Sequence, residues 1–150
     1  MKNKIIARSV AFLLIMLFSV SLPAPIAFAN YSNEYYINER SSAFISSSSV
    51  AITAQSNGVV SVRFTITGTQ RMDQIGATRI QIFENGVLVR TINTTTNPEI
   101  MARNASAHSS TITHQGVVGR SYHAVVTYQA ELNGDWDSRN LTSPTAVARH

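Results

Sequence analysis

The chain contains no cysteine, and its only lysines, Lys2 and Lys4, lie at its start. The absence of cysteine excludes disulfide bonds, thiol nucleophiles and thiolate metal ligands. The absence of lysine beyond residue 4 excludes Schiff-base chemistry and a lysine general base from the remaining sequence. A domain folded from this sequence must therefore hold its core together without disulfide bonds.

Catalytic and metal-binding patterns are also scarce. The four histidines are dispersed along the chain, and no Gly-x-Ser-x-Gly nucleophile motif occurs. On a strand, His108 and His114 would lie ~20 Å apart, which is too far for both to bind one metal ion. We therefore predict no catalytic residues, no bound metal and no cofactor, and we rank a small secreted hydrolase below any binding function.

Residues 1–29 have the organisation of a secretory signal peptide. The start is basic, and an apolar run with few interruptions extends from residue 10 to residue 22. The apolar core of about 12 residues is shorter than the ~20 that a membrane-spanning helix needs. Prolines follow, and then the small-x-small triplet Ala27-Phe28-Ala29 provides a cleavage signal. We therefore predict cleavage after Ala29, a secreted extracellular protein, and no stable membrane anchor after cleavage.

The positive charge of the chain belongs mainly to this leader. Three of the 12 basic residues lie in it, which leaves nine against eight acidic residues and a net charge of +1. The remaining arginines are dispersed singly, whereas nucleic-acid-binding proteins present a clustered basic face. We therefore predict that nucleic acid is not a partner.

Residues 30–43 are polar and aperiodic, and we predict a flexible arm there, followed by one domain over residues 44–150. In that domain valine, isoleucine, threonine and aromatic residues alternate with polar ones between turn signals, which is typical of β-strands. Loops are predicted at Gly68–Gly76 and Asn93–Ala105. The predicted strands are Phe44–Ala54, Val59–Thr67, Thr78–Glu84, Val87–Ile92, His108–Gln115, Ser121–Leu132 and Arg139–Ala148.

Asn85-Gly86 lies between two of these strands and predicts a tight hairpin, because both residues accept the positive φ of a type I′ turn. A two-residue turn pairs Glu84 with Val87, Phe83 with Leu88, Ile82 with Val89 and Gln81 with Arg90. The alternation then predicts a core face and an outer face. The core face would carry Ile80, Ile82, Val87 and Val89, and the outer face Arg79, Gln81, Phe83, Leu88 and Arg90.

The segment Gly119-Arg120-Ser121-Tyr122 leads into the sixth predicted strand. In this the sequence resembles fibronectin type III and related immunoglobulin-like domains, in which a turn precedes a tyrosine whose hydroxyl bonds back to the preceding loop. The resemblance implies a single seven-stranded antiparallel immunoglobulin-like sandwich. The family's second-strand tryptophan is replaced by Phe64, and the only tryptophan, Trp136, is predicted to lie in the last turn. The chain also resembles small secreted proteins of Gram-positive bacteria.

In such a sandwich the third and sixth strands are neighbours, so their outward residues form one surface. We predict that this surface binds a protein, a cell-wall component or a second copy of the chain, because it combines apolar side chains with arginines. The predicted contact residues are Arg79, Gln81, Phe83, Leu88, Arg90 and His123.

Trp136 supports an alternative, a carbohydrate-binding module in which it stacks on a sugar together with Tyr122 or Tyr128. We favour a position in the core for both Tyr122 and Tyr128. Asp135 and Asp137 flank Trp136 and could present oxygens to calcium. We favour instead a polar hairpin tip over which the tryptophan folds down onto the end of the sandwich.

Expression of the full chain with its native start in a secreting bacterial host tests the predicted export. We expect N-terminal sequencing of protein from the medium to begin at Asn30, because the cleavage signal ends at Ala29. Recovery of only an uncleaved, membrane-bound chain would contradict the prediction.

Overall fold

The computed structural model describes residues 34–36 and 42–150. The predicted signal peptide, residues 1–29, and most of the predicted arm lie outside the described residues. Within that arm, Glu34–Tyr36 form a short strand paired with residues 49–51. No helix within the described ranges is long and apolar enough to cross a membrane.

The described chain forms one antiparallel β-sheet of eight strands. Short 3₁₀ turns occur at Ser56–Gly58 and Pro98–Ile100. The all-β antiparallel class is therefore confirmed, with seven strands inside the predicted domain and one before it. The strands are β1 (Glu34–Tyr36), β2 (Ile45–Ala54), β3 (Val59–Glu84), β4 (Val87–Asn93), β5 (Met101–Gln115), β6 (Ser121–Leu132), β7 (Asp135–Thr142) and β8 (Ala146–Val147).

β3 is the central strand of the sheet and is 26 residues long. One edge of β3 pairs first with β2 and then with β6, and the other edge pairs first with β5 and then with β4. The predicted loop at Gly68–Gly76 is wrong, because Met72 and Ile75 in it are buried and paired with β5. Gly76 is a close-packing position: a Cβ there would lie 2.3 Å from the carbonyl oxygen of Ile100.

The sheet curls along β3, so that β2 packs across the core against β6. The Tyr128 hydroxyl on β6 donates a hydrogen bond to the carbonyl oxygen of Ser49 on β2. The Tyr128 and Phe64 rings meet edge to face with centroids 6.0 Å apart. The predicted alternation of β6 is confirmed by its buried residues, which are Tyr122, Ala124, Val126, Tyr128 and Ala130.

The predicted hairpin is confirmed, with positive φ values of 47° at Asn85 and 83° at Gly86. Glu84 pairs with Val87 and Phe83 with Leu88, as predicted, but a β-bulge follows between Ile82 and Phe83. The bulge places one extra residue on β4, so Arg90 lies opposite Ile82 and Thr91 opposite Gln81. The predicted Ile82–Val89 and Gln81–Arg90 pairs are therefore wrong.

The bulge and the hairpin end also change which residues are buried. Val87 is 66% exposed and Val89 is 42% exposed, so their predicted place in the core is wrong. Ile80 and Ile82 are fully buried, as predicted. The outermost pairs of this hairpin therefore extend beyond the enclosed core.

Two other predicted boundaries are wrong. β5 begins at Met101 because its first residues pair with β3 over Met72–Gly76, where a loop was predicted. β7 begins at Asp135 because Asn133 and Gly134, with φ values of 55° and 87°, complete the turn by themselves. Trp136 therefore lies in a strand and not in the last turn.

Tyr122 is fully buried, as the resemblance implied. Its hydroxyl accepts a hydrogen bond of 2.8 Å from the Val117 N–H in the preceding connection and donates one to Oε2 of Glu84. Gly116 packs directly on this ring, since a Cβ there would lie 2.7 Å from the ring carbon Cζ. The predicted contact between Tyr122 and the preceding connection is thus confirmed.

Replacement of Tyr122 by phenylalanine tests this contact. We expect Tyr122→Phe to lower the free energy of unfolding by about 1 kcal/mol or a little more, because the Val117 N–H loses its acceptor and Glu84 loses a donor while the ring remains packed. Gly116→Ala should lower it further, because the added methyl displaces the ring. Urea unfolding measures both values, and an unchanged midpoint for Tyr122→Phe would contradict the assignment.

Candidate functional site

The outer face of β3, β4 and β6 brings together five of the predicted contact residues. The registers pair Phe83 with both Leu88 and His123, and pair Arg79 and Gln81 with neighbouring β6 residues. The Phe83 and His123 rings stack, with centroids 4.8 Å apart and planes 3° from parallel. Leu88, Phe83 and His123 therefore form a continuous row across three strands, which we call the aromatic row.

Arg90 does not belong to this face. Because of the bulge it lies on the core side of β4, where its Nη1 donates a 2.7 Å hydrogen bond to the carbonyl oxygen of Thr113 on β5. It also lies close to His114, whose pKa is lowered first by burial and then by the positive charge of Arg90. The predicted outer-face position of Arg90 is therefore wrong, and Arg90 instead connects β4 to β5.

Exposed apolar side chains concentrate at the end of the sheet that contains the β3–β4 hairpin. Six of the seven large apolar residues that are exposed in the described ranges lie in the segments that meet there. The Asn85 N–H donates to the carbonyl oxygen of Ser121, Ser121 pairs with Val147, and the Gly119 N–H donates to the carbonyl oxygen of Ala148. We call this set the valine end: Val87, Leu88, Val89, Val117, Val118 and Val147.

A charged cluster beneath the valine end fixes its segments. Glu84 accepts hydrogen bonds from the Tyr122 hydroxyl and from Nη1 of Arg120. The Tyr122 hydrogen bond and then the Arg120 hydrogen bond hold the pKa of Glu84 below its ordinary value. Burial, followed by the Glu84 bond, raises the pKa of Tyr122. The hairpin, the β5–β6 connection and the start of β6 are therefore held as one unit.

A polar groove of about 450 Å³ lies farther along β3 and β6. Its walls come from β3, β5, β6 and the β4–β5 connection. The sequence does not predict this groove, because part of its β3 and β5 walls falls in segments that were predicted as loops. The outward Gln129 and Glu131 on β6 were the available signal. The lining residues are Gln74, Thr78, Thr94, Thr95, Pro98, Met101, Arg103, Gln129 and Glu131.

Trp136 lies beside this groove and not beside the aromatic row. It is 62% exposed and is the direct cross-strand partner of Glu131. Directly opposite residues present their side chains on one face with Cβ atoms ~4.5–5.5 Å apart. The hypothesis that Trp136 folds down over the sheet end is therefore wrong. Tyr122 and Tyr128 are fully buried and cannot share a ligand with it.

Asp137 has a structural role. Its Oδ2 accepts hydrogen bonds from the Ser42 hydroxyl and, at 2.7 Å, from the Phe44 N–H, which joins β7 to the start of β2. The Ser42 hydrogen bond is the main cause of the lowered pKa of Asp137. Among residues 34–36 and 42–150, no cluster of three or more histidine, cysteine or acidic side chains could hold a metal ion. The geometry thus gives the calcium hypothesis no support.

No protein-family model and no curated protein sequence matches this chain. The candidate functional surfaces of the described residues are the aromatic row, the valine end and the polar groove with Trp136.

Acid unfolding tests the two carboxylates. The folded-state pKa of Glu84 is lowered from 4.5 and that of Asp137 from 3.8. Each therefore contributes stability that is present above its ordinary pKa and is lost as the pH falls through the lower folded-state value. We expect Glu84→Gln and Asp137→Asn to reduce the loss of stability between pH 5 and about pH 2, measured by urea unfolding at each pH.

The matched control is Ser138→Ala, which changes an exposed, uncharged side chain on the same strand as Asp137. We expect this variant to keep the acid dependence of the parent. Equal acid dependence in the parent and in both Glu84→Gln and Asp137→Asn would contradict the assignment.

Proposed function

We propose that this protein is a secreted, non-enzymatic β-sandwich module that self-associates through its valine end. The observation that carries the proposal is the concentration of exposed apolar side chains on segments joined by backbone hydrogen bonds. Single exposed apolar side chains scattered over a soluble protein are ordinary, whereas their grouping at one end of a sheet is typical of an interaction site.

The pairing of the strands supports an immunoglobulin-like arrangement. β2, the first half of β3 and the second half of β5 would form one layer. β4, the second half of β3, β6 and β7 would form the other. The Tyr128–Ser49 hydrogen bond joins these two parts of the sheet, and Tyr122 makes the hydroxyl contact typical of that family.

The environment of the histidines supports a non-enzymatic function. His108, His114 and His123 each contact an aromatic ring, namely those of Phe64, Tyr122 and Phe83 respectively. The His108 Nε2 also contacts the carbonyl oxygen of Glu99 at 2.9 Å. A serine nucleophile would need a histidine within hydrogen-bonding reach, and no such pair occurs among the described residues.

The charge and rigidity of the valine end favour a second copy as the partner. Glu84 and Arg120 form an ion pair there, so these two residues add no net charge to the contact. The hydrogen bonds that join its segments reduce the conformational entropy that is lost on binding. The bulge in β4 disfavours extension of the sheet from that edge, so the contact is made by side chains.

Sedimentation velocity over a concentration series tests the proposal. We expect Leu88→Ser combined with Val117→Ser to weaken self-association by at least about tenfold, because two exposed apolar side chains leave the interface. The fold should remain intact, since neither residue belongs to the core.

The control is Trp136→Ser, which removes an exposed apolar side chain outside the valine end. It should associate like the parent. A parent that remains monomeric at all concentrations, or a double variant that associates like the parent, would overturn the proposal.

A further inference from the structure

We propose that the polar groove and Trp136 together form a binding site for a short neutral oligosaccharide. This site is separate from the valine end. The pairs Gln74–Glu131 and Glu84–Tyr122 mark the two places, and they are ten residues apart along β3, or roughly 30 Å.

The shape of the groove suits a small ligand. Its volume of about 450 Å³ lies within the ~300–1,000 Å³ range of ligand pockets. It forms because β4 ends at Asn93 and β5 begins at Met101, so the connection between them stands beside β3 as a wall. Pairing between β3 and β6 is also irregular at Ala77–Arg79, beside the lining residue Thr78.

The wall formed by residues 94–100 is preorganised. Oδ1 of Asn93 accepts hydrogen bonds of 3.0 Å from the N–H groups of Thr95 and Thr96. Pro98 starts the 3₁₀ turn, and the buried Ile100 anchors its end. A ligand that enters the groove therefore meets a wall already ordered, which lowers the entropic cost of binding.

The polar groups of the groove match sugar hydroxyls, which both donate and accept hydrogen bonds. Gln74 donates through Nε2 to Oε2 of Glu131 at 3.3 Å, which orients both side chains. Within the described part of the chain, the side chains of Gln129 and Arg103 make no hydrogen bond to another side chain or to a turn. Their N–H groups are therefore available to a ligand. An amide, a carboxylate and a guanidinium thus converge from three strands.

Trp136 supplies the apolar component. Its exposed indole stands on the same face as Glu131, directly across from it on β7. Sugar rings carry C–H groups on one face and hydroxyls at their edges. An indole beside fixed polar groups can therefore pack on one ring while the groove hydrogen-bonds the next.

The charge of the groove favours a neutral ligand. Its lining includes one carboxylate, Glu131, and one guanidinium, Arg103. These charges balance, so the site offers no net attraction to a polyanion. The hydrophobic residues of the lining, Pro98 and Met101, add apolar contact without changing that balance.

Calorimetric titration of the full secreted chain tests the site. The neutral probes are the tetrasaccharides of N-acetylglucosamine, cellulose and mannan, and the charged probe is the hyaluronan tetrasaccharide. We expect saturable binding of at least one neutral probe, with a change in tryptophan fluorescence. Trp136→Ala and Gln129→Ala should each weaken it by about tenfold, the loss expected for one good contact.

The matched controls separate this proposal from self-association. Trp136→Phe should retain most of the affinity, since it keeps an aromatic face, and the Leu88→Ser, Val117→Ser double variant should bind like the parent. Thermal unfolding of each variant should match the parent, because Trp136 and Gln129 lie outside the core. Binding of no neutral probe, binding of the charged probe alone, or full affinity in Trp136→Ala would overturn the proposal.

Discussion

Backbone pairing along both edges of β3 is the constraint on which the rest of the structure depends. Four strands pair with this one strand, and the remaining strands pair with its neighbours. A chain without cysteine has no disulfide crosslink to hold the parts of its sheet together. The continuous backbone pairing along β3 takes the place of such a crosslink. Because β3 passes from one half of the sheet to the other, we expect the two halves to unfold together. Tyr128 completes the closure by joining β6 to β2 across the core.

The same strand determines where the candidate surfaces lie. The end of β3 carries Glu84, whose hydrogen bonds hold the hairpin against the β5–β6 connection. Farther along β3, Gln74 and Thr78 line the groove at the place where the β4–β5 connection leads into β5. Phe83 lies between the two places and stacks on His123. β3 thus lines or supports every one of these surfaces, and the β4–β5 and β5–β6 connections supply further residues of the groove and of the valine end.

The parts of the fold that local sequence patterns determine could be predicted. The alternation over Ser121–Leu132, the Asn85-Gly86 turn and the buried Tyr122 each depend on residues close in sequence. The remainder depended on long-range contacts. Gly68 and Gly76 indicated a loop, yet Gly76 is required because the backbone of Ile100 approaches it closely. Arg90 was placed on the wrong face because a single bulge reverses alternation beyond it. The groove combines residues from four segments, so no local pattern contained it.

The separation of the valine end from the groove along one stiff strand has a consequence for assembly. Two copies that met at their valine ends would hold their grooves at opposite extremities of the pair. Occupancy of one groove would then raise the effective concentration of the second groove for another segment of the same polymer. Contacts that are individually weak would gain avidity from this geometry without any new interaction. The length of β3 would thus set the distance between the two attachment points of such a pair on a surface with a repeating structure.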